Sequence, residues 1–524
     1  VTEPPVTDAT SPQVHRSYLK RRLAVNTGAA VVTNLWAIVV SVAVVPVLLA
    51  GLGAEQFGVW AVLLTFSAVT GWFSLADVGV SVSASNSIAA AHAAGDRDAV
   101  ARIASSTSWF FVLVAAIGSV AFAAVGVLAL AVSGLGDDHP RWHLGTVVVW
   151  FGVQIGADTV ARSATTILDG VQRVDLARLL DAIRRTAVAA AAAGAATVNG
   201  TLRSVAVAAA GASAASAALA VAVGRRAAGV RLGRWSAVET GRLVRAGAPI
   251  AVLRPLGVIH RTMDRLIVAA VIGPVGVAAV EVAASLQNGA DAVLSASSYS
   301  VTPTAAYLEG RGDDGGLRAL LVRATKASLL ATLPVATFAI ALGGPIVEVW
   351  LGDDAPDDAG VLVALAGSAI AVVSLAAVAS NLLVGIGRSS AVLHAAIGSI
   401  IINLGSSVWL ANEIGTRGVF VGTILGSLYV APALVRAATR ATGTPIAELA
   451  RGAVARGVAP SVALAAVLAA VVLVVDGAWA RLLVGVTIGG PVALAATVGY
   501  GLSPPERAAL RRRLRRPPTA DRGR

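Results

Sequence analysis

Cysteine is absent from the chain, which excludes disulfides, a thiol nucleophile and any cysteine-ligated metal. The six histidines, at 15, 92, 139, 143, 260 and 394, show no metal-ligand spacing, so no metal centre is expected. Gly-rich stretches at 95–104 (GDRDAVARIA) and 312–316 (GDDGG) lack the following Gly-Lys-Ser/Thr of a nucleotide loop, so ATP binding is not expected either. Lysine occurs only at Lys20 and Lys326 among 41 basic residues. Charge is scarce altogether, 13% of residues against 56% hydrophobic, with a mean hydropathy of +0.78. Soluble domains carry about a quarter charged residues, so water cannot be the only solvent of this fold. A net charge of +12 would suggest nucleic acid in a soluble protein, but these arginines sit mainly between apolar runs. They read as membrane topology, with no nucleic-acid partner. Arginine over lysine, together with abundant Ala, Val and Gly, suggests a bacterial source.

What the chain does have is apolar runs of membrane-spanning length, about 20 residues each. They predict fourteen helices, near 24–50, 57–85, 107–133, 143–169, 181–200, 202–224, 247–272, 276–303, 323–348, 359–384, 391–412, 418–436, 458–475 and 482–502. Basic residues test the division, because they accumulate on cytoplasmic connections. One alternate set of connections carries only Arg141, Arg203, Arg417 and Arg481, and Arg162, Arg254, Arg261 and Arg265 fall inside helices. The rest lie on the other set, which includes both termini, so a multi-pass protein of the bacterial inner membrane with cytoplasmic ends is expected. The polar start has no apolar core of its own and reads as a retained segment, not a cleaved signal. Trp60, Trp142, Trp350 and Trp479 fall at expected outer helix ends, whereas Trp36, Trp72 and Trp150 read as packing residues.

These runs divide into a cytoplasmic segment at 1–22, a six-helix lobe at 23–224, a linker at 225–246, a second six-helix lobe at 247–438, two accessory helices at 439–502 and a basic tail at 503–524. Within the linker, Ser236 and Glu239 have capping-box spacing before a short amphipathic helix; a plain solvated linker is the competing reading. An internal repeat supports the two lobes. ILDGVQR at 167–173 matches LLVGIGR at 382–388, pairing Gly170 with Gly385 and Arg173 with Arg388. LGAEQFGVWAV at 52–62 matches IGPVGVAAV at 272–280, and Arg102 parallels Arg318. Six helices separate the copies, so the halves share orientation, as in transporters built from parallel repeats.

The order of GLGAEQFGVWAVLLTF, LADVGVSVSASNSIAAAHAAGDRDAVARI, MDRLIVAAVIGPVGVAAVEVAASL, NLLVGIGRSSAVLHAAIGSIIINLGSSVWL and GTRGVFVGTILGS, over roughly residues 20–440, resembles the multidrug/oligosaccharidyl-lipid/polysaccharide (MOP) flippase superfamily, specifically its polysaccharide-exporter branch of O-antigen-type flippases. The resemblance implies an all-α integral membrane fold of about fourteen helices. Two parallel six-helix lobes would surround a central cavity, with two accessory helices beside them. It implies flipping of an undecaprenyl-diphosphate-linked oligosaccharide for cell-surface polysaccharide assembly by alternating access. Val277 and Ala278 stand where the family commonly has an aromatic residue. A lipid II flippase and a cation-coupled multidrug extruder share the architecture and stay open. A membrane glycosyltransferase or ligase would need an acidic site near a large outer loop, and the outer connections are short; the chain reads as no enzyme. Lipid-linked glycan, membrane lipids and a polysaccharide polymerase or glycosyltransferases are the implied partners. No cofactor is expected, and a coupling cation, H+ or Na+, is left open.

Ionisable side chains within the spans are the candidate functional residues, since each costs at least about 2.5 kcal/mol at a helix centre. Arg254, Arg261 and Arg265, spaced i, i+7, i+11, fall within about 40° of one helical stripe. A cavity-facing stripe suits a diphosphate, because guanidinium donates paired hydrogen bonds to phosphate oxygens; structural pairing with Asp264, Glu281 or Asp291 is the alternative. Glu281, Asn288, Asp291, Ser295 and Ser298 form a polar face for sugar hydroxyls, a coupling cation or helix packing. Asp158 and Arg162, spaced i, i+4, are expected to neutralise each other. Asp77, in LADVGV, matches the family's Asp-x-Gly and is assigned to packing or gating. His260 is a candidate proton carrier only. None of these candidates lies within the expected ninth to fourteenth helices.

Overall fold

A computed structural model describes residues 12–133, 142–229, 233–298 and 300–508, and every regular element among them is helical. Ten helices among the described residues are long and apolar enough to cross a membrane. The expected second, fifth, seventh and eighth helices do not meet that standard, and they fall short for a common reason: they are broken or carry polar and charged residues. The basic tail beyond 508, residues 1–11 and the side chains of residues 12–31 lie outside the description.

The first element, α1 (Pro12–Leu64), holds the expected first helix and the start of the second, merged across a left-handed Gly53 at φ 73°. The second run is not continuous over 57–85. After Leu64 the chain turns irregularly, forms a 3-10 turn at Trp72–Asp77, passes Val78 (φ 48°) and Gly79 (φ 76°), and re-enters helix as α2 (Val80–Ala93). There follow α3 (Arg97–Ser133), α4 (Leu144–Gly170), α5 (Val174–Asn199) and α6 (Leu202–Ala228). The linker contains no separate helix. Ser236 accepts a hydrogen bond from the Glu239 amide at 3.3 Å, but it opens α7, which runs unbroken through Ala237–Val271.

Beyond it lie α8 (Pro274–Ser298), α9 (Val301–Gly310), α10 (Asp314–Leu351), α11 (Ala359–Gly385), α12 (Ser389–Ile414) and α13 (Thr416–Thr442). The expected eighth helix, 276–303, is thus two helices. The last pair are α14 (Ile446–Val474) and α15 (Ala478–Gly501), whose course includes π turns at Ala450–Val454, Gly485–Gly489 and Thr497–Gly501. They pack on α10 through Phe338, Leu342, Leu464, Leu468 and Ala493. Trp60 is buried edge-on against Phe151 with centroids 5.7 Å apart, so it packs the core and does not sit at an interface as expected. Trp36, expected to pack, is half exposed and donates to Thr186.

Two compact units result, Val1–Val258 and Ile259–Arg524, with the divide inside α7. The repeat is visible in each unit separately. A Cβ on Gly170 would meet Ile88 Cβ at 2.6 Å and the Ser85 carbonyl at 3.1 Å; one on Gly385 would meet the Thr302 carbonyl at 2.5 Å and Ala305 Cβ at 2.8 Å. Both glycines therefore let one helix press on an i, i+3 pair of another. Beyond each, a left-handed residue (Gln172, φ 62°; Gly387, φ 75°) leads to an arginine whose amide bonds the carbonyl five residues back at 2.8 Å, Arg173 to Leu168 and Arg388 to Leu383. Gly95 and Gly312 are both left-handed. The aspartates that follow them cap the next helices alike, Asp96 accepting from the Ala99 amide and Asp313 from the Gly316 amide, each at 2.8 Å.

Candidate functional site

The break in the expected second helix creates the polar interior of the first unit. Leaving helix at Thr65 frees backbone carbonyls, and buried carbonyls require donors. Arg162 on α4 supplies them, donating to the Ala68 carbonyl at 2.6 Å and the Val69 carbonyl at 3.3 Å. Its other arm reaches Asp77 at 3.5 Å. Asp77, only 3% exposed, caps α2 by accepting from the Ser81 amide (2.8 Å) and hydroxyl (2.5 Å), and it also receives Arg254 at 2.5 Å. Close backbone approach brings Arg254 there. A Cβ on Gly79 would lie 2.3 Å from the Gly247 carbonyl oxygen, so the backbones meet directly at these two glycines, and Ser83 on α2 donates to the Leu243 carbonyl on α7 at 2.8 Å.

Asp158 does not pair with Arg162, although both lie on α4 at the expected spacing. It accepts from Arg184 on α5 at 3.1 Å and from the Ser213 hydroxyl on α6. Arg162 is drawn away by the freed carbonyls and Asp77, and neighbouring helices offer Asp158 nearer partners. Arg184 also bonds Asp181 at 3.0 Å, which in turn holds Arg185 at 2.8 Å. Asp181, Arg184 and Arg185 fall inside the expected fifth helix, 181–200, but the two arginines count with the basic connection before it, so none stands out in the sequence as a site residue. Their i, i+3 and i, i+4 spacing on a helix was the signal that could have found them.

In the second unit, Arg265 meets Glu281 at 2.6 Å, with side chains 17% and 13% exposed. Asp264 does not pair with an arginine. One of its oxygens accepts from the Thr423 hydroxyl at 3.1 Å, and the other is buried without a hydrogen-bond partner. Asn403 donates to the same threonine at 3.3 Å and accepts from Ser407 at 2.8 Å. One carboxylate beside neutral oxygens, with a lone pair unspent, is a chemistry that could hold a monovalent cation. Among the described residues no group of three or more His, Asp or Glu could hold a metal ion.

Arg261 is exposed and makes no ion pair among the described residues, although Asp291 on α8 lies close enough to feel its charge. Asn288 and Asp291 are exposed as well, whereas Val277, Ala278, Val280, Val282 and Ala283 on the same helix are buried. The expected polar face of α8 is therefore split: Asn288, Asp291 and Ser295 are exposed, whereas Ser298 is buried and Glu281 is held by Arg265. Lys326, counted with the basic connections although it falls inside the expected ninth helix (323–348), is buried within α10 at 6% exposure, where it donates to both oxygens of Glu506 at 2.7 and 2.5 Å.

Sequence-family models match in two places: a polysaccharide biosynthesis protein family over residues 19–307, more than half of the chain, and the MatE family over 249–409. The chain belongs to the polysaccharide biosynthesis protein family of the MOP flippase superfamily. Solved structures share the fold. The lipid II flippase MurJ in an inward closed conformation has a TM-score of 0.67 at 14% identity, covering 94% of this chain and 99% of that one. An inward-facing multidrug resistance MATE transporter has a TM-score of 0.60 at 16% identity, covering 78% and 94%. A eukaryotic MATE transporter has 0.56 at 17% identity, covering 81% and 98%. No curated protein sequence matches. The chain is thus a multi-pass MOP-superfamily membrane protein whose solved structural neighbours are transporters and flippases.

Proposed function

We propose that the protein flips a polyprenyl-diphosphate-linked oligosaccharide from the cytoplasmic to the outer leaflet by alternating access. Arg261 is the observation that carries this reading. It lies ten residues, about 15 Å, from the end of α7, which is half of the roughly 30 Å hydrocarbon layer. An exposed guanidinium without an ion pair at that depth is costly unless it meets an anionic group, and a diphosphate accepts its forked donors. The exposed Asn288 and Asp291 supply hydrogen-bonding groups for sugar hydroxyls, while Arg254, Arg265 and Glu281, already paired, position the helices that carry them. The polysaccharide family match supports a glycan cargo. The likeness to MurJ supports a lipid II cargo, and the MatE match over 249–409 supports a small-amphiphile extruder. The paired arginines and the unpaired one favour a phosphate-bearing cargo over a cationic drug.

The test is leaflet exchange in proteoliposomes containing purified protein and a panel of lipid-linked sugars, lipid II and a cationic dye. Exchange of lipid-linked glycans that falls to background in Arg261→Ala and partly survives in Arg261→Lys, at unchanged protein level, supports the proposal. Dye transport alone, or full glycan exchange by a stable Arg261→Ala protein, overturns it.

A further inference from the structure

We propose that the pocket inside the first unit is a binding site for a phosphate-type oxyanion, separate from Arg261. The pocket holds about 380 Å³ and is lined by Arg162, Arg178, Arg184, Arg185 and Arg254, with hydroxyls from Ser81, Thr165, Thr166 and Ser216. It reaches along α4 from Asp169, beside the α4–α5 turn, to Asp158, eleven residues or roughly 16 Å deeper. Its volume equals that of roughly a dozen waters, ample for a diphosphate.

Charge balance identifies the sign of the ligand. Asp158, Asp169 and Asp181 line the pocket with the five arginines, and a fourth carboxylate, Asp77, is shared by Arg162 and Arg254. Five guanidinium groups against four carboxylates leave one positive charge to be neutralised. Donors remain as well. Arg178 touches Asp169 only at 3.7 Å and makes no hydrogen bond among the described residues, and Arg185 spends its Nε on Asp181 and leaves both terminal nitrogens unused. Guanidinium groups with unused donors lining one half-open pocket suit a tetrahedral oxyanion with several acceptor oxygens.

The repeat shows that the fold does not require these charges. With Gly170 matched to Gly385, Asp158 corresponds to Val373 and Arg184 to Ser399, and the same helix–turn–helix forms around apolar and small side chains. Buried ion pairs seldom outweigh their desolvation. A lobe that keeps them where its duplicate dispenses with them keeps them for a ligand. The basic α4–α5 turn, with Arg173 and Arg178, lies at the end of the unit expected to face the cytoplasm, where phosphate-bearing cargo is loaded. The proposal deepens the transport reading by giving the cargo's phosphate a first contact, and it rests on that reading only for the source of the phosphate.

Full-length protein in zwitterionic-lipid nanodiscs, titrated with inorganic pyrophosphate by calorimetry, tests it. Pyrophosphate is expected to bind, and Arg178→Gln with Arg185→Gln, both at partly exposed positions, is expected to raise Kd at least tenfold while Arg417→Gln leaves it unchanged. Arg185→Lys, which keeps the charge but loses the fork, is expected to fall between. Competition from undecaprenyl diphosphate in the nanodisc assigns the site to a lipid headgroup, and its absence to a soluble phosphate compound; both support the site. No binding, affinity untouched by the double substitution, or equal binding of sulfate through an adventitious ion only overturns it. Glycan exchange without arginine-dependent pyrophosphate binding removes this site alone. Such binding without any glycan exchange removes the transport reading and leaves the site.

Discussion

The two units share a scaffold and differ in what fills it. Around the matched glycines Gly170 and Gly385 the turns, left-handed residues and amide bonds coincide, yet the first unit encloses Asp158, Arg162 and Arg184, whereas the second carries Val373, Ala377 and Ser399 at the matching positions. Duplication thus fixed the backbone solution once, and side-chain chemistry then diverged on it. The helix break follows the same division. In the first unit the second helix is interrupted from Thr65 to Gly79 and needs Arg162 to satisfy the freed carbonyls, whereas in the second unit α8 (Pro274–Ser298) resumes as α9 at Val301 and exposes Asn288 and Asp291. The longer break and the arginine that repairs it distinguish the polar interior of the first unit.

Making the first unit resemble the second should break the comparison most visibly. Arg184→Ser, the residue of the second unit at that position, strands Asp158 and leaves Asp181 with one partner, so a loss of about 3–5 kcal/mol is expected. Adding Asp158→Val removes the unpaired carboxylate and should recover most of that stability without recovering transport. Thermal unfolding and glycan exchange measured on the single and double variants give the result. Transport restored along with stability would make the ion pair structural and erase the distinction between the units.

Gly170→Ala and Gly385→Ala come next, and here the units should behave alike. Each new methyl lands 2.5–2.6 Å from a neighbouring helix, which calls for a backbone shift costing about 1–3 kcal/mol. Matching drops in Tm are expected. A tolerated substitution in one unit only would show that the repeat ends at sequence likeness.

Those glycines were legible in the sequence because a tight helix approach demands a residue type, and residue types can be read. So was the all-helical, membrane-spanning architecture, with ten of the expected helices long and apolar enough to cross a membrane among the described residues. What could not be read was partner choice. The i, i+4 spacing of Asp158 and Arg162 is compatible with pairing, but the partners that won, Arg184 and Asp77, come from helices 26 and 85 residues away. The break after Leu64 was hidden for a different reason: the run 57–85 stays apolar across it, so hydropathy registers no interruption, and only Gly71 and Gly79 hint at one. Lys326 was counted with the connections because charge was assumed to mark loops, an assumption that fails when Glu506 returns from beyond α15 to meet it.

That returning segment has no described counterpart in the first unit, and its effect should be smaller. Burial raises the Glu506 pKa, but hydrogen bonds from Lys326 and Ser503 outweigh it and hold the carboxyl at about 2, below its ordinary 4.5. A depressed pKa stabilises fully above the unfolded value and loses its contribution as pH falls, here between about 4.5 and 2. Glu506 is 38% exposed, so water screens the pair and the gain is modest. Glu506→Gln should lower Tm at pH 7 and flatten the acid dependence in that window. An unchanged acid profile would mean that the last helices are secured by their apolar packing on α10 alone.

The smallest expected effect is the strictest test of equivalence, because it depends on local geometry and little else. Asp96 and Asp313 each accept an amide hydrogen bond three residues ahead at 2.8 Å, each follows a left-handed glycine, and each opens a long helix, α3 in one unit and α10 in the other. Removing such a cap costs about 1 kcal/mol, since one of the orphan amides at the helix start loses its acceptor. Asp96→Ala and Asp313→Ala should therefore lower Tm by similar amounts, and the double variant should show the sum, because sites in separate units without shared partners add. Asp→Asn at either position keeps the acceptor oxygen and should restore nearly all of the loss. Unequal single losses with full rescue by asparagine would show that the caps are formed alike but that the two units unfold separately, each reporting its own stability. A double loss no larger than the greater single loss would show the same, since the sum requires that both units melt in one cooperative transition.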